Sequence, residues 1–226
     1  IIILTLVLSL MKSHDYELFG TREINTFLDL FYWKNIVNNF GMAYLTGTAL
    51  AGGTMIVGIL IESLSGNRVI ELIDSPLTKS SGPSDFWGRR WNTLVHIVLK
   101  GGVYIPLRKN GFPVYVAAIA TFTASGFLHE YILTAMAMQD AMLGKEASPP
   151  RYGMHVAFFA WNGIFIALER IFHKHSFIQE CKRRLPDPLK TALIVMCVLP
   201  VGHWFTDEYK EIGFYDDFAV GFPKLI

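Results

Sequence analysis

The chain has 226 residues, of which 52% are hydrophobic and 17% charged, with a mean hydropathy of +0.35. Soluble proteins run near 25% charged, so this composition excludes an ordinary water-soluble domain. A formal net charge of +1 gives no support to a nucleic-acid partner, and two cysteines, Cys181 and Cys197, make neither a disulfide framework nor a metal set.

In chain order, Ile1–Met11 is apolar and opens without an initiator Met, so it reads as the stub of a membrane helix with further helices expected upstream. Residues 12–39 are mixed, and Phe31-Tyr32-Trp33-Lys34 has the look of an interfacial aromatic and basic belt. Gly41–Ile61 is the first complete apolar span, and its Gly47, Ala51, Gly52, Gly53 and Gly58 are expected to let helices approach closely. Glu62–Asn92 is a polar loop broken by Pro76, Gly82 and Pro83 and ending in Asp85-Phe86-Trp87-Gly88-Arg89-Arg90-Trp91-Asn92. Thr93–Leu107 is apolar but short, the length of a re-entrant or interfacial segment. Phe112–Met138 is the next span, followed by a loop at Gln139–Arg151 and a span at Tyr152–Phe172. A basic loop, His173–Lys190, leads into a last, shorter span at Thr191–Phe205. The acidic, aromatic tail from Thr206 to Ile226 is expected at the interface. The fold class is therefore all-α, a polytopic transmembrane bundle forming one membrane domain over residues 1–226.

The basic residues give an orientation. If Thr93–Leu107 does not cross the membrane, thirteen of the twenty Lys and Arg residues, from Arg68 to Lys109 and from Arg170 to Lys190, share one face. The positive-inside bias then favours a cytoplasmic loop at residues 85–92.

Two constellations stand out. The first is Ser125-Gly126-Phe127-Leu128-His129-Glu130-Tyr131, deep inside a span, where an ionisable group is by default a site hypothesis. On a helix, His129 shares its face with Phe122, Ser125, Gly126, Ile132, Leu133 and Met136, and the small Ser125 and Gly126 leave room beside the imidazole. A neutral imidazole there can take a proton from a hydroxyl as general base. Equally, it can hold the bundle together by a hydrogen bond across helices. Glu130 lies about 100° round the helix and is read as support from another side. The second constellation is the Trp87, Arg89, Arg90, Trp91, Asn92 loop. It fits an interfacial anchor, and it also fits a site for a phosphorylated ligand, since arginine forks match phosphate oxygens and indoles stack on bases. Nothing resembles a nucleophile elbow, a phosphate-cradling glycine loop or a paired Cys/His metal site.

These residues resemble the membrane-bound O-acyltransferase superfamily and, within it, the wax synthase branch. The resemblance rests on Asp85 to Asn92 continuing to Tyr104-Ile105-Pro106, on Ser125-Gly126-Phe127-Leu128-His129-Glu130, and on Phe158-Phe159 with Gly163 and Glu169, so that the core motifs cover residues 75–170. The His129-Glu130-Tyr131 variant is also similar to the diacylglycerol and sterol acyltransferase branches. The resemblance implies a many-helix bundle in the endoplasmic reticulum membrane, acyl-CoA as donor, a lipid alcohol as acceptor, and no metal or other cofactor. It assigns the two hallmark catalytic positions to His129 and Asn92. Trp87, Arg89, Arg90 and Trp91, with Ser125 and Glu130, are taken as substrate-binding. Membrane lipids are implied surroundings, and a homo-oligomer stays open. The expected product is a wax ester. The same chemistry on diacylglycerol or a sterol is the near alternative, and a proton-coupled transporter using His129 and Glu130 is the alternative from another class, for which no inverted repeat is found.

Overall fold

The computed structural model describes residues 2–20, 23–69, 71–144 and 150–219, the side chain of Phe177 excepted. Residues 145–149 of the expected loop and 220–226 of the expected tail lie outside it. Every regular element among the described residues is helical. The first helices are α1 (Ile2–Ser13), α2 (Trp33–Ser65), and the short α3 (Pro76–Lys79) and α4 (Pro83–Asp85), the last running into a π-helical turn at Phe86–Arg90. A continuous helical run follows as α5 (Thr93–Leu99), a second π-helical turn at Lys100–Tyr104, and α6 (Ile105–Lys109). The long α7 (Val114–Met142) and α8 (Met154–Phe172) come next. They lead to α9 (Ser176–Arg184), α10 (Asp187–Val198), α11 (His203–Glu211) and α12 (Phe214–Phe218). Among the described residues three helices, α2, α7 and α8, are long and apolar enough to cross a bilayer, and a fourth crossing arises if α10 and α11 form one bent span. The protein is an integral membrane protein.

The helix α2 starts eight residues before the expected span, because Trp33 to Phe40 is helical rather than interfacial coil. The belt residues Phe31, Tyr32 and Trp33 do stand exposed. Asn35 and Asn39, in the same stretch, are buried for a reason invisible in local sequence. Pro200 breaks the last expected span, and α10 and α11 meet at a 50° bend. At that break the backbone is also bound from α2: Asn39 Nδ2 donates to Leu199 O (2.6 Å), which accepts from Gly202 N–H as well (3.0 Å), and Asn35 Nδ2 donates to Pro200 O (3.3 Å). Irregular backbone at membrane depth survives only when its polar groups are satisfied in this way.

The described part of the tail packs back on the bundle through α11 and α12. Glu208 is buried and accepts from Arg151 N–H (2.8 Å) and Nε (2.7 Å). Buried Tyr215 shares a hydrogen bond with Thr46 Oγ1 of α2 (2.9 Å), and its ring joins Leu4, Leu8, Met11, Met42 and Leu45 in one core cluster.

The most extensive interface is between α7 and α8. A Cβ on Gly126 would lie 2.5 Å from Val156 Cα, and one on Gly163 would lie 2.9 Å from Phe122 Cβ, so the two helices touch nearly backbone to backbone. The small residues expected to do this in α2 behave differently: Gly52 and Gly53 have nothing within 4 Å of a Cβ position, while Gly47 approaches only the Trp91 ring. Glu130, buried in α7, accepts at one oxygen from the backbone N–H groups of Gly153 (2.9 Å) and His155 (3.0 Å) and so caps the start of α8.

Gly126→Val is therefore expected to destabilise the fold by about 2–3 kcal/mol, the overpacking range. Gly101→Ala, where a Cβ meets nothing within 4 Å, should leave stability unchanged or slightly raised. Thermal unfolding of the two variants in detergent checks the contrast.

Candidate active site

Beside the α7–α8 contact lies a cavity of about 660 Å³, walled by α7, α8, α9, the 81–92 loop and the α5–α6 run, with Phe205 of α11 at one end. Its inner end is apolar and aromatic: Phe122, Phe158, Phe159 and Phe205 surround His129. The Phe159 ring lies 4.6 Å from the imidazole at 30°, and Phe205 stands edge-on at 5.2 Å. The outer end carries Arg89, Lys100, Glu169, Arg170 and Lys182. Ten residues of α8 separate Phe159 from Glu169, which is about 15 Å at 1.5 Å per residue.

The local structure fixes which atoms of His129 and Asn92 face the cavity. Nδ1 of His129 lies 2.7 Å from Ser125 O one turn back. A carbonyl only accepts, so Nδ1 carries the hydrogen, and the neutral ring leaves a lone pair on Nε2. No partner takes Nε2 among the described residues, and the ring lines the cavity. Asn92 is the N-cap of α5, and its Oδ1 accepts from Val95 N–H (3.1 Å). That commits the oxygen and fixes the flip of the amide, leaving the Nδ2 hydrogens as donors in the cavity wall.

Asp85 organises the loop that presents Asn92. It is buried, accepts from Ser81 N–H and Oγ (both 2.9 Å), and holds Arg89 (2.8 Å) and Arg90 (3.0 Å). Burial pushes its carboxyl up, but the bonds from Ser81 and the Arg90 guanidinium outweigh that and hold it at about 2. Arg90 continues to Asp74 (2.7 Å), and backbone bonds Asp74 N–H to Arg90 O and Thr93 N–H to Leu72 O (2.9 Å each) tie the 72–74 strip alongside. Trp87 Nε1–H donates to Asn162 Oδ1 on α8 (3.2 Å), and its ring sits among Phe122, Phe158 and Phe159. Trp91 stacks on Phe86 at 5.5 Å and 15°.

Of the residues singled out in the sequence, the cavity brings together Asn92, His129, Ser125, Trp87, Arg89 and Trp91. Two lie elsewhere. Arg90 is turned into the Asp74–Asp85 clamp, and Glu130 faces the start of α8, so neither is part of the cavity wall. The indoles form inner walls, packed on phenylalanines, and do not stand at the outer end as stacking platforms. Sequence reasoning left Arg170 and Lys182 unassigned, counting them only as charges that orient the chain. It also left Phe205 out, because the bend at Pro200 that swings it towards His129 was not legible. His155, read as a helix contact, is fully buried, donates from Nε2 to Phe205 O (3.0 Å) and stacks on Tyr209.

A carboxyl held below its ordinary 3.8 stabilises the fold fully above that value and loses the contribution as pH falls towards 2. Tryptophan emission, reporting on Trp87 and Trp91 beside Asp85, should be constant from pH 7 to about 4 and shift between about 4 and 2. Asp85→Asn should show the shifted spectrum already at pH 7.

Comparison with known proteins bears on this cavity directly. Residues 71–161 match the sequence model of the membrane bound O-acyl transferase family. Among curated relatives, the chain is 26% identical over 157 residues to the probable long-chain-alcohol O-fatty-acyltransferase 1 of Arabidopsis thaliana, covering 66% of this chain and 41% of that protein. It is 29% identical over 102 residues to the probable long-chain-alcohol O-fatty-acyltransferase 9 of the same plant, covering 42% of this chain and 27% of the relative. Its identity to the long-chain-alcohol O-fatty-acyltransferase of Simmondsia chinensis is 29% over 127 residues, covering 53% and 32%. The chain thus spans less than half the length of these relatives. No solved structure matches it.

Proposed function

We propose, for a chain that belongs to the membrane bound O-acyl transferase family, that the cavity transfers a fatty acyl group from acyl-CoA to a long-chain alcohol, giving a wax ester. The observation that carries this reading is the bonding of two side chains that line one cavity. Ser125 O holds the hydrogen on His129 Nδ1 and leaves a lone pair on Nε2, and Val95 N–H occupies Asn92 Oδ1 and leaves the Nδ2 hydrogens.

In this reading the alcohol O–H gives its proton to His129 Nε2, and the oxygen attacks the thioester carbonyl. Charge develops on that carbonyl oxygen, where the Asn92 Nδ2–H is the donor available to stabilise it. The C–S bond then breaks. The CoA thiolate, whose conjugate thiol has an ordinary pKa near 8.5, leaves without a strong acid and recovers the proton from the imidazolium, so ester and free thiol are the products. The phenylalanines around His129 keep bulk water from the thioester. Arg89 at the outer end meets the polar part of the donor, with Trp87 and Trp91 lining its path. The reaction draws on no metal or further cofactor. Relatives named as long-chain-alcohol acyltransferases favour a fatty alcohol over diacylglycerol or a sterol as acceptor. The clustering of thirteen of the twenty basic residues supports a cytoplasmic 85–92 loop, and the family supports the endoplasmic reticulum as location.

The test is ester formation in microsomes from a host lacking neutral lipid, with labelled acyl-CoA and a fatty alcohol, diacylglycerol and a sterol in competition. Wax ester is the expected product. His129→Ala should abolish it, and Asn92→Ala should lower the rate roughly 10²–10³-fold at equal expression. Near wild-type rates in both variants would refute the assignment.

A further inference from the structure

The outer end of the cavity includes three charged residues of α8 and α9, Glu169, Arg170 and Lys182, that lie beyond the 71–161 segment matching the family. We propose that this end is a phosphate seat which the protein fills with its own Glu169 carboxylate until a phosphate-bearing ligand displaces it. The inference rests on the reading of the cavity as the donor's site, and it names the donor's phosphate groups as the ligand.

The carboxylate sits as a bound anion would. Glu169 Oε2 accepts from the backbone N–H of Ser84 (2.8 Å), and Oε1 takes the ammonium of Lys182 (3.2 Å). A methyl group on Gly82 would lie 2.5 Å from Oε1, so the carboxylate is pressed against bare backbone. A backbone N–H and an ammonium are the donors a phosphate oxygen takes. Arg89, Lys100 and Arg170 stand along the same rim, giving four cations against two carboxylates, Asp85 and Glu169. Asp85 is not exchangeable, because its oxygens are bound by Ser81, Arg89 and Arg90. Glu169 is held more lightly, by one backbone N–H and one ammonium: its own side chain is 14% exposed, but that of its partner Lys182 is 48% exposed and can turn to a new anion. A phosphate carries more charge and more acceptor oxygens than the carboxylate it would replace. The separation of about 15 Å between this end and His129 lets one extended ligand reach both.

The full chain in nanodiscs of zwitterionic lipid provides the test, with calorimetric binding of unacylated CoA as readout, so that an inactive protein still answers. Lys182→Ala should weaken CoA binding roughly five- to tenfold, the scale of one hydrogen bond to a charged group. Glu169→Gln keeps an oxygen for Ser84 N–H but removes the competing charge, and should tighten CoA binding about threefold or more. Phosphate-free pantetheine is the control, and its binding should respond to neither change. The proposal is overturned if CoA fails to bind, if both variants bind it like wild type, or if pantetheine shifts in parallel. Nanodiscs containing phosphatidic acid form a second arm: Lys182→Ala changing the response to that lipid while leaving CoA binding unchanged would assign the seat to a headgroup and overturn the donor assignment. Ester formation by His129 variants bears on the chemistry alone, so the two readings fail separately.

Discussion

The near-backbone contact between α7 and α8 is the constraint on which the rest depends. Gly126 and Gly163 remove the side chains that would hold the helices apart, and Glu130 fixes the start of α8 by binding its first free N–H groups. Those contacts set Phe158 and Phe159 against the turn that carries His129. The carboxylate next to the histidine in sequence thus acts on the other side of the helix, on the scaffold and not on the ligand. In the apolar middle of a bundle, a carboxylate that accepts two backbone donors is a strong way to fix where a neighbouring helix begins.

The same economy governs the two polar side chains in the cavity. His129 and Asn92 each commit one atom to a nearby backbone group and leave the other facing open space. Ser125 O decides that His129 offers an acceptor, and Val95 N–H decides that Asn92 offers donors. Opposite polarities lining one cavity suit acyl transfer, which calls for a base for the nucleophile and a donor for the developing oxyanion. The loop that carries Asn92 is held by the Asp85–Arg90–Asp74 clamp and by Trp87 reaching Asn162.

Much of this was legible in the sequence, for physical reasons. Long apolar runs gave the α7 and α8 spans within four residues at each end and α2 within eight, since burying or immersing twenty apolar residues leaves little choice of structure. His129 stood out because an ionisable group inside an apolar span is costly without a purpose, while Asn92, in a loop, stood out as a catalytic position through the resemblance alone. What was not legible depended on partners distant in sequence. The helical start of α2 is tied to the backbone around Pro200, 160 or more residues later, by the bonds from Asn39 and Asn35. Arg90, which has the chemistry of a phosphate ligand, is claimed by Asp74 and Asp85. The packing of the tail depends on Arg151 for Glu208 and on Thr46 for Tyr215.

His129 keeps a bare Nε2 because Ser125 O holds the hydrogen on Nδ1. Solid-state NMR of the ¹⁵N-histidine-labelled chain in lipid reads this directly, with His129 assigned from the spectrum of His129→Gln. The account predicts a hydrogen-bearing Nδ1 and a bare Nε2 at neutral pH. A hydrogen on Nε2 with Nδ1 bare would contradict it, because the imidazole would then face the cavity as a donor with no lone pair to take a proton.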